Sequence, residues 1–428
     1  MSVPLLSFDE ASALVAQCAS RLLSRLPVRE RVELAHAAGR VLAHPLCTDS
    51  DQPPFTRSTR DGFACRAAEA STHGFLALAG LVRAGDAPAP PLAAGSACEI
   101  MTGAPVPDGA DAVAMLEHVE VAHVEIDGRV RLLPPRKLDP GENLVVRGAQ
   151  ARAGDELLPE GTPITAAQIA LAASCGHSSL EVFVRPRVAI LTTGDELVPI
   201  DVVPGPGQIR NSNAPMLSAL VAAAGGDPWI LPTAADNATS LDSALAQAAE
   251  ADLLLISGGV SAGKFDLVEP ALARLEARFH FTGVRIQPGK PLVFGELPIQ
   301  AGDLLQNEHG AKRCFFGLPG NPVSSAVTFL LFAAPILAVL AGNRAAGPRF
   351  VLAQLAEDTR RSAKPGLTRF LPAYCNFASV DGRLPHVTQI PMQGSGDIAA
   401  FARSNCFLVI PDHDAHLEMG AIVRILLP

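Results

Sequence analysis

Between residues 187 and 340 the apolar positions alternate between two textures. Short, almost continuous apolar runs, VAILTT (188–193), PWIL (228–231), DLLLIS (252–257) and CFFGLP (314–319), read as buried strands. Longer stretches separate them: NAPMLSALVAAAGG (213–226), LDSALAQAAEA (241–251), FDLVEPALARLEARF (265–279) and PVSSAVTFLLFAAPILAVL (322–340). These carry helical spacing, with Pro270 inside the first turn of the third. Strand and helix in alternation predict a central doubly wound, mostly parallel α/β sheet domain.

The flanks read differently. Residues 7–44 are expected to be helical, opened by a Ser7-x-x-Glu10 capping box, and residues 157–175 again, with Thr165 as N-cap. From 47 to 146 Pro and Gly recur, helical spacing disappears, and HVEVAHVEI and GRVRLL read as strands. Residues 347–428 are short strands and turns. The expected layout is a helical linker domain (1–46 with 147–182), a β-rich insert domain (47–146), the α/β domain (183–345) and a small C-terminal β domain (346–428). The stretch from Cys314 to Asn343 has no charged residue and is long enough to span a membrane. Its Gly320-Asn321-Pro322 start and internal Pro335 favour a buried core helix instead.

Composition narrows the function. A chain of 428 residues divides into two to four domains. The net charge of −9 argues against nucleic-acid binding through a broad basic face. It also means that an anionic substrate needs local cations, backbone amides or a metal. The eight cysteines form no CxxC pair, and the N-terminus lacks a basic, signal-like region. Reduced thiols and a cytoplasmic location are expected.

Ligands of open parallel sheets bind beyond the carboxyl ends of the strands. Four loops fall there: Gly194-Asp195-Glu196, Asp236-Asn237, Ser257-Gly258-Gly259 leading to Asp266, and Gly320-Asn321-Pro322-Val323-Ser324. Each also has a plain structural reading, as a tight turn, a helix cap or a solvated acid. Together they pair amide-rich turns with clustered carboxylates, the combination that suits a Mg²⁺-bound phosphate. Lys290, held between Pro288 and Pro291, adds a point charge for an oxyanion. In the insert, the stretches 59–64 and 100–112 are rich in turn residues.

These stretches, in this order, resemble the MoeA-like molybdopterin molybdenumtransferases, related to the C-terminal domain of gephyrin. The resemblance spans essentially the whole chain. It is carried by DGFA (61–64), IMTGAPVPDGADAV (100–113), TTGDEL (192–197), GQIRNSN (207–213), ISGGVSAGKFD (256–266), PGKP (288–291) and LPGNPVSS (318–325). It implies an elongated four-domain homodimer that inserts molybdate into adenylylated molybdopterin, cleaving the adenylate with Mg²⁺ and releasing AMP. By the same resemblance, Asp61 and Thr102 reach the cleft from the partner subunit. Glu196, Asp236 and Asp266 line the strand-end side, with Asp195 beside them, and Asp236 and Asp266 hold the metal. Ser257, Gly258 and Gly259 approach phosphate or pterin, and Lys290 and Ser324 face molybdate, with Pro319 and Asn321 in the same substrate-binding loop. Implied partners are a molybdopterin adenylyltransferase and downstream cofactor-handling proteins or molybdoenzymes, with neither nucleic acid nor membrane.

The chain departs from the family pattern at Gln150, where an acid is usual, at Gln287 and about Gly283, where lysines are usual, and at Arg60, where an apolar residue is usual. These changes keep a second reading open, a non-catalytic carrier or scaffold for molybdopterin. A third, an adenylyltransferase, shares only the central domain.

Overall fold

The computed structural model describes residues 5–22, 28–124, 127–259, 267–298, 312–343, 347–359, 366–378, 382–414 and 416–428. The chain divides into two compact units, one of residues 32–38 and 44–180, the other of 1–31, 39–43 and 181–428.

In the larger unit, helix α1 (Phe8–Leu22) opens as expected. The Glu10 carboxylate accepts the Ser7 amide at 2.7 Å, and the Ser7 hydroxyl accepts the Glu10 amide at 3.2 Å. The central sheet and its helices follow: β1 (Arg187–Thr192), α2 (Asn213–Ala223), β2 (Asp227–Ile230), α3 (Ala238–Gln247), β3 (Leu253–Ser257), α4 (Val268–Arg274), β4 (Arg278–Phe281), β5 (Val293–Pro298), β6 (Lys312–Leu318) and α5 (Pro322–Leu340). The strand order is β2-β1-β3-β6-β5-β4. The first four are parallel, β5 runs antiparallel to β6, and β4 pairs antiparallel with β5.

Alternate side chains of these strands feed two cores. Val188, Ile190, Leu253, Leu255, Phe294 and Phe316 pack with α1, α2 and α5 on one face. Ala189, Leu191, Leu254, Ile256 and Phe315 pack with α3 and α4 on the other. A strand buried on both faces has no polar side to show, hence the uninterrupted apolar runs in the sequence. Helix α5 is likewise a core element, inside the first of these clusters. It widens to a π turn at Phe329–Ala333, just ahead of Pro335, whose missing N–H a regular α-helix could not accommodate unchanged.

After α5 the chain forms β7 (Phe350–Leu355), β8 (Thr368–Asn376), β9 (His386–Gln389), β10 (Cys406–Ile410) and β11 (Ile422–Leu426). Pairing runs β8-β9-β7-β11-β10 and returns from β10 to β8, closing a small barrel. A further short strand, Ile286–Gln287, pairs with Thr368 and Arg369 of β8, so the loop before Lys290 is tied to the barrel.

The smaller unit is built on a six-stranded sheet, ordered Ala112–Met115, Gly62–Cys65, Ser96–Ile100, Leu76–Val82, Asp127–Leu132, Val119–Val124. The strands expected from HVEVAHVEI and GRVRLL are its last two.

The fold class stands as read: a mostly parallel α/β domain, a β-rich region and a small C-terminal β domain. Three local expectations are corrected. Helix does not run through 7–44: among the described residues it covers Phe8–Leu22, and Arg29–Glu33 is a strand. Helix does not run from 157 to 175 either. Glu156–Leu158 is a strand, Pro159, Gly161 and Pro163 break the chain, and the helix is Ala166–Ser174, capped by Thr165 and Gln168. Finally, the helix expected at 265–279 is only Val268–Arg274 among the described residues, and Phe279 already belongs to β4.

Candidate active site

Three parallel strands finish level. Thr192 of β1 pairs with Ser257 of β3, which pairs with Leu318 of β6. The loops leaving them, Thr193–Glu196, Gly258-Gly259 and Pro319–Asn321, therefore open side by side, and α5 begins at Pro322 directly behind the last.

Packing requires the glycines. Gly258 and Gly259 have φ of +96° and +63°, and a Cβ on Gly258 would stand 2.6 Å from the Thr193 carbonyl oxygen. The Gly258 N–H donates to Leu318 O at 3.2 Å, so it closes the turn rather than facing a ligand. The Gly259 N–H has no partner among the described residues.

Two asparagines pin these loops. Asn213, first in α2, donates through Nδ2 to Ser257 Oγ at 2.8 Å and to Gly320 O at 2.6 Å. Asn211 donates to Thr192 Oγ1 at 2.8 Å and accepts the Ala214 amide at 3.1 Å. Asn213 Oδ1 and Thr193 Oγ1 are buried without a hydrogen-bond partner among the described residues, an arrangement that costs free energy unless a ligand or water completes it.

The loops enclose a cleft of about 1080 Å³. Its acids are Glu196 and Asp236, and its cations are Arg210 and Lys290. Neither Lys290 nor Arg210 makes an ion pair among the described residues. The far wall comes from the C-terminal barrel, through Met392 and the Gly394–Gly396 loop. That loop also touches the helix end: Ser395 O accepts the Val323 amide at 3.1 Å, and Ser395 Oγ accepts from Asn321 Nδ2 at 2.8 Å.

In the smaller unit, Asp61 Oδ1 accepts the Thr102 amide at 2.7 Å. That amide, with the Thr102 hydroxyl second, holds the Asp61 carboxyl below its ordinary range. Gly62 is obligatory here, because a Cβ would meet the Ala114 carbonyl oxygen at 2.0 Å.

Comparison with known proteins bears directly on this arrangement. Residues 6–176 match the MoeA N-terminal region (domain I and II), residues 189–339 the probable molybdopterin binding domain, and residues 353–427 the MoeA C-terminal region (domain IV). A protein of Nostoc named molybdopterin molybdenumtransferase is 34% identical over 405 residues, 93% of this chain and 88% of its own. One of the same name from Haemophilus influenzae is 30% identical over 96% of this chain and 97% of its own. The chain belongs to the molybdopterin molybdenumtransferase family. A crystal structure of the molybdopterin biosynthesis MoeA protein from Pyrococcus horikoshii OT3 agrees, with a TM-score of 0.78 at 28% identity over 99% of this chain and all of that one. Membership places the chain among enzymes of molybdenum cofactor biosynthesis.

Of the site residues expected from the molybdenumtransferase resemblance, the structure brings nine to one cleft: Glu196, Asp236, Ser257, Gly258, Gly259, Lys290, Pro319, Asn321 and Ser324. Asp195 is not among its lining; it accepts the Asp236 amide at 3.0 Å and so shapes the neighbouring turn. Asp61 and Thr102 meet each other in the smaller unit. Asp266 lies outside the described residues. Sequence reasoning gave no role to Asn211, Asn213, Arg210 or the Gly394–Gly396 loop. The first three sit in GQIRNSN, and two asparagines around a helix start were a usable signal, since such side chains bridge loops. The barrel loop carries no comparable signal.

Proposed function

We propose that this chain inserts molybdenum into adenylylated molybdopterin, with Mg²⁺-dependent cleavage of the adenylate and release of AMP. The observation that supports this most is the pairing, in one cleft at the strand ends, of two carboxylates with two cations that make no ion pair among the described residues. At about 1080 Å³ the cleft is at the upper end of the range for small-molecule sites, the size that a pterin joined to a nucleotide needs.

Glu196 and Asp236 offer the all-oxygen donor set that Mg²⁺ takes, and Asp266 is assigned to the same ion. When bound, Mg²⁺ would neutralise charge on the phosphates. The chain's own groups divide the rest. Lys290 and Arg210 attract the anions, and Lys290 with Ser324 receives molybdate. Asn213 Oδ1 and Thr193 Oγ1 offer acceptors to pterin or ribose donors, with Gly259 supplying an amide. Water adds to the adenylate phosphorus and breaks the P–O–P link, so that AMP and molybdopterin phosphate part, and the two dithiolene thiols replace two oxygens of molybdate, which depart as two waters with the two thiol protons and two protons from solvent. Positioned charge, rather than a covalent nucleophile, lowers the barrier.

We assign Asp61 and Thr102 to the cleft of a partner subunit, which makes a homodimer the working unit, and the cytoplasm its location. An upstream adenylyltransferase and downstream molybdoenzymes would be its pathway partners.

The test is molybdate-dependent AMP release from adenylylated molybdopterin in Mg²⁺. Turnover is expected in the wild type, with about a hundredfold loss or more in Asp236→Asn. Tight binding of the nucleotide with no release under any condition would instead support the carrier reading.

A further inference from the structure

A second group of ligand-type side chains lies at the antiparallel edge of the central sheet, outside the cleft. Cys18 of α1, His280 of β4 and Glu296 of β5 bring Sγ, a ring nitrogen and a carboxylate oxygen within 4.8 Å of one another. Cys18 Sγ is 3.7 Å from His280 Nε2, which is 3.4 Å from Glu296 Oε2. In a tetrahedral site with bonds of about 2.0–2.3 Å, neighbouring ligand atoms are spaced about 3.3–3.7 Å apart. Two of the observed spacings match this range, and the third pair, Cys18 and Glu296, lies within 4.8 Å.

The setting is rigid. Cys18 is 1% exposed and Glu296 9%. The His280 ring lies against Phe294 with centroids 5.1 Å apart, and this fixes its plane. The three groups come from a helix and two paired strands rather than from a loop.

The cluster also draws positive charge toward it. A buried carboxylate needs a compensating cation. Arg21 Nη2 lies 3.6 Å from Glu296 Oε1 and donates to Cys18 Sγ at 2.9 Å, while Lys312 Nζ lies 3.9 Å from Glu296 Oε2. Both cations reach in from solvent, their side chains 51% and 43% exposed, so either can withdraw. Arg21 occupies the place where a metal would meet thiolate and carboxylate.

We propose that Cys18, His280 and Glu296 bind a thiophilic divalent cation of the zinc class, in exchange for the Arg21 guanidinium and the Cys18 proton. A thiolate, a carboxylate, a neutral imidazole and a divalent cation sum to zero charge, which a buried site favours. The mixed sulfur, nitrogen and oxygen set distinguishes this site from the oxygen-only cleft. Occupancy would tie α1 to the β4–β5 pair and raise stability by mass action.

The experiment is a Co²⁺ titration of chelator-treated, full-length protein in Mg²⁺ buffer. A saturable thiolate-to-cobalt charge-transfer band is expected in the wild type, reversed by Zn²⁺. Cys18→Ser should abolish the band, while Arg21→Ala should keep it and tighten binding about tenfold. Circular dichroism establishes that each variant is folded, and the wild type and Arg21→Ala decide the matter even if Cys18→Ser is not. No band in the wild type, or one that Cys18→Ser leaves intact, overturns the proposal.

Discussion

In the central sheet, β1, β3 and β6 run parallel and finish level at Thr192, Ser257 and Leu318, whereas β5 turns back against β6 and β4 pairs antiparallel with β5. The parallel half leaves its polar groups at strand ends, where loops open into the cleft. The antiparallel half carries them on the strands themselves, at His280 and Glu296, where they must be paired with one another or with Arg21 and Lys312. One sheet thus holds two polar centres with opposite requirements. The first must stay open to solvent and substrate, and the second must stay closed.

Phe316 tests how far the halves depend on one another. It lies on β6, between them, and stacks on Phe294 of β5 at 4.6 Å. Phe316→Ala is expected to cost about 3–5 kcal/mol in denaturant unfolding, the largest effect here, while the protein that remains folded keeps its affinity for substrate. Loss of both at once would show that the halves are coupled. Gly258→Ala strikes the parallel half alone. The added Cβ meets Thr193 O at 2.6 Å with φ at +96°, so a loss of about 1–3 kcal/mol and weakened nucleotide binding are expected together. An unchanged melting temperature would refute the strain. Further out on the same side, Asn237 caps α3 by accepting the Ser240 amide at 2.9 Å. Asn237→Ala should cost about 1 kcal/mol by thermal melting and leave cobalt binding at the antiparallel edge untouched.

The smallest effect is a pH dependence outside the sheet. The Asp61 carboxyl is held low in the folded chain, chiefly by the Thr102 amide. Its contribution is therefore present above the unfolded value of about 3.9 and is lost as pH falls through the folded one. Asp61→Asn should flatten the acid limb of the stability curve slightly, and an unaltered limb would show that the contact contributes nothing.

The same contrast explains what could be read from residues alone. Parallel strands buried on both faces leave solid apolar runs, and β1, β3 and β6 were legible for that reason. The antiparallel β4 was not. Phe279 and Phe281 alternate with Arg278 and His280, a pattern that merges with the tail of an amphipathic helix. The cleft was legible as acids and glycines at strand ends. The Gly258 amide was over-read, however: it closes its turn on Leu318 O, a fact that depends on β6, more than fifty residues away in sequence. Nor could the chain order reveal that Ser395 would cap α5, because that contact exists only once the barrel closes.

Helix α5 has a consequence for how the protein is made. With a mean hydropathy of 2.3 over an 18-residue window, it is as greasy as a membrane anchor, yet 72% of that window is buried inside the protein. Every strand of the central sheet precedes it in the chain. The sheet face that receives α5 is therefore synthesised before the helix leaves the ribosome, while Phe370, Phe407, Val409 and Leu426 of the barrel, which share its core, are added after it.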